Sequence, residues 1–173
     1  MLRVSPSGLK QNPGSSMVSA SASKAAVSTD VEEAVERFIS LCRERGLSVT
    51  PQRLALYRAL VSTSSHPTPE RLFEDVRSQM PTLSLATVYK AIETFKEMGV
   101  IREIRVPDDH RMRLDGDVSE HHHLICVRCH QVVDLREGLA DEPLLPEQAM
   151  QGFRILGYSL QFNGVCPGCD ATG

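Results

Sequence analysis

Ser84–Val106 reads SLATVYKAIETFKEMGVIREIRV, and the change of period inside it decides the fold. Up to Gly99 the apolar residues Val88, Ile92 and Phe95 recur at helical spacing, with Ser84 as the N-cap and Gly99 as the C-terminal stop. From Val100 to Val106 the pattern is that of a strand, and Arg111–Leu114 reads as its partner across a Pro107-Asp108-Asp109 turn. Arg102, Arg105, Arg111 and Arg113 flank this hairpin. The outer face of the helix carries Thr87, Lys90, Ala91 and Thr94, short or basic side chains of the kind that let a helix lie in the major groove of duplex DNA. A helix followed directly by a basic hairpin predicts a winged helix-turn-helix.

Three helices are expected upstream. A capping box, Thr29-x-x-Glu32, opens the first, whose Val31, Ala34, Val35, Phe38, Ile39 and Cys42 keep to one face until Gly46 ends it. Thr50 and Pro51 start the second, through Leu54, Leu56, Tyr57 and Leu60. The third carries Leu72, Phe73 and Val76 and stops before Pro81. Residues 1–28 are Ser, Ala, Pro and Gly with no sustained period, which predicts a disordered tail.

Beyond residue 115 the character changes to short strands at His123–Val127, Val132–Leu135 and Phe153–Gly164, with a helix expected around Pro146–Gly152. The reading is therefore an α+β chain: a winged helix-turn-helix domain over residues 29–115, then a small α/β domain over residues 116–173. Charge divides in the same way. The middle segment holds 13 of the 19 basic residues, whereas the last segment is acidic and would repel a polyanion. No apolar run approaches the roughly 18 residues of a spanning helix, and no secretory signal opens the chain, so a cytoplasmic protein without a membrane partner is expected.

Five cysteines fall as Cys42 alone and two C-x-x-C pairs, Cys126/Cys129 and Cys166/Cys169, separated by 36 residues. Each such turn offers two sulfurs from one knuckle, and two knuckles complete the tetrahedral shell of a structural zinc ion. A thiol oxidoreductase centre at Cys166-Pro-Gly-Cys169 is disfavoured because only four residues follow Cys169. A zinc deaminase is disfavoured because the H-x-E element is missing. Cys42, on an apolar helix face, reads as core.

His121, His122 and His123 precede Cys126. On a strand the first and third share a face, so His121 and His123 can enter one coordination sphere while His122 points away. Asp134 lies on the neighbouring expected strand, Asp115 at the end of the wing and His66 in a loop of the first domain. Three imidazoles and two carboxylates suit iron(II), manganese(II) or zinc(II).

Taken in order, Gly46-Leu47-Ser48-Val49-Thr50-Pro51-Gln52-Arg53, His66-Pro67-Thr68, Ser84–Tyr89, His121–Cys129 and Cys166–Cys169 resemble the ferric uptake regulator family, over essentially Val31–Cys169. The resemblance implies a homodimeric, metal-dependent transcriptional repressor on double-stranded DNA with a palindromic AT-rich operator, the second domain serving dimerisation. It implies a regulatory iron(II) or manganese(II) site at His66, Asp115, His121, His123 and Asp134, and structural zinc at Cys126, Cys129, Cys166 and Cys169. It implies DNA contacts at Arg53 and Tyr89, beside Lys90, Ser84 and Thr87 of the reading helix.

An aspartate at position 134 resembles the peroxide-responsive branch, in which iron-catalysed oxidation of a ligand histidine, here His66 or His121, releases DNA. Sensing of iron, zinc or manganese level without oxidation is the nearest alternative, and a metal-dependent enzyme a remote one. Three positions depart from the family pattern. Lys90 stands where iron sensors often have Arg and the best-known peroxide sensors Asn, Tyr158 replaces a histidine used by many members in an auxiliary metal site, and His130 replaces a glycine.

Overall fold

The computed structural model describes residues 20–136, 150–154 and 158–171, the side chains of residues 20–29 excepted. Its elements run α1 (Ala20–Glu44), α2 (Pro51–Val61), α3 (Pro69–Arg77), α4 (Leu85–Met98), β1 (Arg102–Val106), β2 (Asp109–Asp115), β3 (His122–Cys126), β4 (Val132–Leu135), β5 (Gln161–Gly164) and the one-turn α5 (Pro167–Asp170). The protein is α+β, with a helical unit and its wing followed by a small mixed sheet.

Local chemistry sets the helix ends. Thr50, Thr68 and Ser84 each accept a bond from the backbone N–H three residues on, and Pro51 and Pro69 occupy the first helical turn, where no intrahelical donor is needed. Gly99 closes α4 at φ 70°, a left-handed conformation that costs glycine nothing. The first helix departs from expectation. It begins at Ala20, not at the Thr29 capping box, so residues 20–28 of the expected tail are helical. Ala20, Ala22, Ala25 and Ala26 supply the strongest helix propensity of any side chain, enough to carry the helix back through Thr29.

The helices converge on an aromatic centre. Phe38 of α1 stacks on Tyr57 of α2 at 4.4 Å between ring centroids, and Phe95 of α4 meets both edge-on at 5.3 and 5.6 Å. Leu56, Leu60, Leu72, Val88, Ile92 and the expected core residue Cys42 fill the space around them. Removing such fully buried rings costs roughly 3–5 kcal/mol.

Strands β1 and β2 form an antiparallel wing whose turn is tighter than predicted. Asp108 takes φ 59° and absorbs the reversal, which returns Asp109 to the ladder opposite Val106. The second sheet has the order β4-β3-β5, with β3 antiparallel to β4 and parallel to β5. Its last strand is four residues long; of the longer strand expected from Phe153, residues 155–157 lie outside the described residues, and 153–154 and 158–160 are not strand. The helix expected around Pro146–Gly152 falls largely outside the described residues. Ile104 and Val106 of the wing pack on Ile125 and Val132 of this sheet, so the wing seats directly on the second unit.

Candidate metal centres

The parallel pairing of β3 with β5 sets Cys126 opposite Gly164 and delivers the second knuckle to the first. Cys126 ends β3, and its backbone closes the first turn through bonds from its own N–H to the Gln131 carbonyl and from the His130 N–H to its carbonyl, both 2.9 Å. Cys166 caps α5, where the Cys169 N–H bonds back to the Cys166 carbonyl at 3.0 Å. The four sulfurs lie within 4.8 Å of one another, with Cys129 Sγ and Cys166 Sγ 3.7 Å apart.

That separation decides between two chemistries. A disulfide requires about 2.05 Å. The edge of a tetrahedron with zinc–sulfur bonds of about 2.3 Å is about 3.8 Å, which the pair matches. Backbone N–H groups of Cys129 and Cys166 pull the Cys126 thiol down to about 6, whereas the crowding of sulfurs around Cys169 pushes it up to about 12. One thiolate forms readily and a further one is repelled, so a divalent cation is the natural counter-ion and the residues fit zinc.

The second cluster lies where the helical unit, the wing and the sheet meet. Its first member, His66, follows α2 at φ 49°, and the Leu114 N–H bonds to the Pro67 carbonyl at 3.0 Å, pinning this loop beside the strand that ends in Asp115. His121 precedes β3 and His123 lies within it, on the same side, and His123 pairs in register with Asp134 on β4. His66, Asp115, His121 and His123 are all buried.

The polar atoms converge without satisfying one another. Asp134 Oδ1 stands 2.9, 3.7 and 3.9 Å from the Nε2 atoms of His66, His121 and His123. Asp115 Oδ2 stands 3.1 and 3.5 Å from those of His121 and His123, which are themselves 3.0 Å apart. Yet Asp115 Oδ2 and Asp134 Oδ1 are buried with no aligned hydrogen-bond partner among the described residues. Orphaned buried acceptors at such distances are costly unless something else binds them, and a divalent cation is the group that oxygen and imidazole donors in this arrangement accept. Burial is the main cause holding the His66 imidazole below its ordinary pKa, against the pull of Asp134 and Asp115, and so favours its neutral ligand form.

His122 takes no part in this cluster. Its Nδ1 accepts the Leu160 N–H at 3.3 Å and its ring lies 5.5 Å from that of Tyr158. His130 Nδ1 lies 3.3 Å from Asp109 Oδ2 of the wing.

On α4, Thr87, Tyr89 and Lys90 face solvent, as does the cap Ser84, whose hydroxyl engages both Thr87 Oγ1 and the Thr87 N–H. The Tyr89 hydroxyl donates to Glu70 on α3. Ala91 belongs to the core, against expectation, because it lies three residues after Val88 on the same face. Thr94 is half-buried and donates to the Lys90 carbonyl. Arg53 donates to the Ser48 carbonyl at 2.9 Å. In the wing, Arg111 and Arg113 both clasp Asp109, and Arg102 donates to the Val118 and Ser119 carbonyls. Sequence alone misses this internal use of the wing arginines, for which the alternation of Asp109, Arg111 and Arg113 on one strand face is the available signal.

The family model described as the ferric uptake regulator family matches residues 44–163. The chain is 31% identical over 143 residues to the peroxide-responsive repressor PerR of Staphylococcus epidermidis, covering 83% of this chain and 95% of that protein. Its fold resembles that of the Helicobacter pylori ferric uptake regulator at a TM-score of 0.64 and 18% identity, over 81% of this chain and 93% of the other. It also resembles a zinc-bound manganese uptake regulator at 0.55 and 29%, over 77% and 98%.

Proposed function

The chain belongs to the ferric uptake regulator family, and from that premise we propose that it is a metal-dependent transcriptional repressor of the peroxide-responsive kind, with no enzymatic turnover. Its regulatory ion, iron(II) or manganese(II), is held by His66, Asp115, His121, His123 and Asp134, and its structural zinc by Cys126, Cys129, Cys166 and Cys169. One observation carries this reading: the five regulatory residues come from both halves of the molecule and leave buried carboxylate oxygens without hydrogen bonds among the described residues.

A ligand bridging two halves stabilises only the arrangement in which they are close. His66 fixes the loop that leads into α3, Asp115 ends the wing, and His121, His123 and Asp134 belong to the sheet, so filling the cluster fixes the angle of α4 relative to that sheet. Ser84, Thr87, Tyr89 and Lys90 on the outer face of α4, with Arg53, then meet the DNA. Two such heads read half-sites about one helical turn apart on a palindromic AT-rich duplex, and an unfixed angle lowers the binding-competent population.

The second copy packs on the outer face of the sheet. Leu124, Val133 and Phe162 are 45%, 47% and 39% exposed and stand side by side across β4-β3-β5. Such a contiguous apolar row on a small sheet supports a homodimer. Among the described residues no helix is long and apolar enough to cross a membrane; action on DNA in the cytoplasm is part of the proposal.

Iron(II), when bound, supplies the electron transfer to peroxide that makes a ligating imidazole oxidisable. His66 and His121, both buried against the carboxylates, are the residues exposed to that chemistry. The test is binding of a palindromic duplex with and without iron(II), manganese(II) and zinc(II), followed by peptide mass spectrometry after peroxide treatment of the iron form. Metal-dependent binding and a +16 Da adduct on His66 or His121 are expected. Metal-dependent binding with no adduct would make the protein a sensor of metal level, and binding indifferent to metal would overturn the whole reading.

A further inference from the structure

The two oxygens of Asp134 have different surroundings. Oδ1 faces the three imidazoles, whereas Oδ2 accepts from Arg136 at 3.1 Å. The other terminal nitrogen of Arg136 reaches Asp117 Oδ2 at 2.6 Å, in the loop between β2 and β3. That loop is a ladder of local bonds. The Asp117 N–H donates to Asp115 Oδ1, the Ser119 N–H donates to Asp117 Oδ1, and the Ser119 carbonyl lies 3.1 Å from His121 Nδ1. Asp115, Asp117, Ser119 and His121 thus form one alternating series, tied to Asp134 of β4 through the Arg136 guanidinium.

We propose that Arg136 is a positioning residue for the regulatory centre: by joining Asp134 to Asp117 it holds Asp134 so that only Oδ1 is presented to His66, His121 and His123, and keeps Asp115 and His121 in register with it. The inference rests on reading the five-residue cluster as a metal site, and adds a residue that touches none of the donor atoms.

A half-exposed ion pair contributes little to stability, so this network is poorly explained as a fold-holding device. Orientation is a different matter. A guanidinium donates along two fixed directions at once and can hold two carboxylates at a set distance, which an ammonium cannot. Partners that orient metal ligands typically govern affinity by 10–100-fold. The same cation also opposes an incoming divalent ion, so charge and orientation predict opposite effects of removing it.

The experiment uses the full-length, zinc-loaded protein and two substitutions, Arg136→Met and Arg136→Lys, with manganese(II) affinity measured against a competing chelator and the visible spectrum of the cobalt(II) form as readouts. Both substitutions are expected to weaken manganese(II) binding by about 10–100-fold and to alter the cobalt(II) spectrum, with zinc content and thermal midpoint near wild type. Tighter binding by Arg136→Met, or full rescue by Arg136→Lys, would mean that charge alone acts and would overturn the proposal. Asp117→Asn, which keeps the loop turn but removes one anchor, provides a second route to the same loss should Arg136→Met fold poorly, and unchanged affinity there would equally overturn it. A wild-type cobalt(II) spectrum indifferent to His66→Ala would overturn the metal-site reading itself, and this inference with it.

Discussion

His66 Nε2 lies 2.9 Å from Asp134 Oδ1, so a loop of the helical unit and a strand of the second sheet meet at a single buried point. Because that contact is not aligned as a hydrogen bond, it adds little cohesion of its own. Its consequence is that an ion placed there is gripped from both sides.

Removing either side should therefore have the same effect. His66→Ala and Asp134→Ala are each expected to lower manganese(II) affinity by about 100-fold or more and to abolish metal-dependent duplex binding while zinc content stays at the wild-type level. Equilibrium dialysis paired with a duplex-binding titration checks this, and a variant that loses zinc as well would point to misfolding rather than ligand loss.

The thiolate centre should behave independently. Cys166→Ser is expected to release zinc and to destabilise the second unit by several kcal/mol, since structural zinc binding is folding free energy. The Phe38, Tyr57 and Phe95 cluster lies wholly within the helices, so its near-ultraviolet circular dichroism should persist while the melting midpoint of the whole chain falls.

Acid should act through His66. Its folded pKa is depressed, chiefly by burial, so below the unfolded value of about 6.5 the unfolded chain takes up a proton that the folded chain resists. Stability present above that pH is lost as pH falls, at up to about 1.4 kcal/mol per pH unit per proton. Urea titrations of the zinc-loaded protein, stripped of regulatory metal, should show this decline between pH 7 and 5.5 in wild type and a flatter profile in His66→Gln.

Gly116 is held by close approach. A Cβ there would stand 3.1 Å from the Leu60 carbonyl oxygen and 3.2 Å from its carbon, both backbone atoms that cannot swing aside. Gly116→Ala should cost about 1–2 kcal/mol by overpacking and, by displacing the neighbouring Asp115, weaken manganese(II) binding. A destabilised variant with unaltered metal affinity would separate the close approach at Gly116 from the site.

A charge in the exposed apolar row should break the pairing of subunits. Leu124→Asp leaves the inner-face residues Ile125 and Val132 untouched, so the monomer should fold with its zinc retained. Sedimentation equilibrium should show the dimer dissociation constant rising by about 100-fold or more, the effect of burying an uncompensated charge.

The sequence by itself determined the features governed by local chemistry. Ser84 and Gly99 bound α4 because a cap and a left-handed stop act within one turn of the helix they bound. Each C-x-x-C turn announced a knuckle because its spacing is itself the geometry, and His121 and His123 were separable from His122 because a strand alternates. Where a short-range signal had a competitor, the competitor prevailed: alanine propensity overrode the Thr29 capping box, and Ala91 went to the core although its size suited a groove. Tertiary structure alone decided the rest. The five residues of the buried cluster were nameable in the sequence through the family resemblance, but the Leu114–Pro67 bond and the β3–β4 register are what bring them together, and whether an arginine faces DNA or an aspartate depends on the fold of the wing. Arg136 carries no motif, because its partners Asp117 and Asp134 come together only when the loop and β4 are laid side by side, and contacts set by chain return leave no periodic trace in the residues that make them.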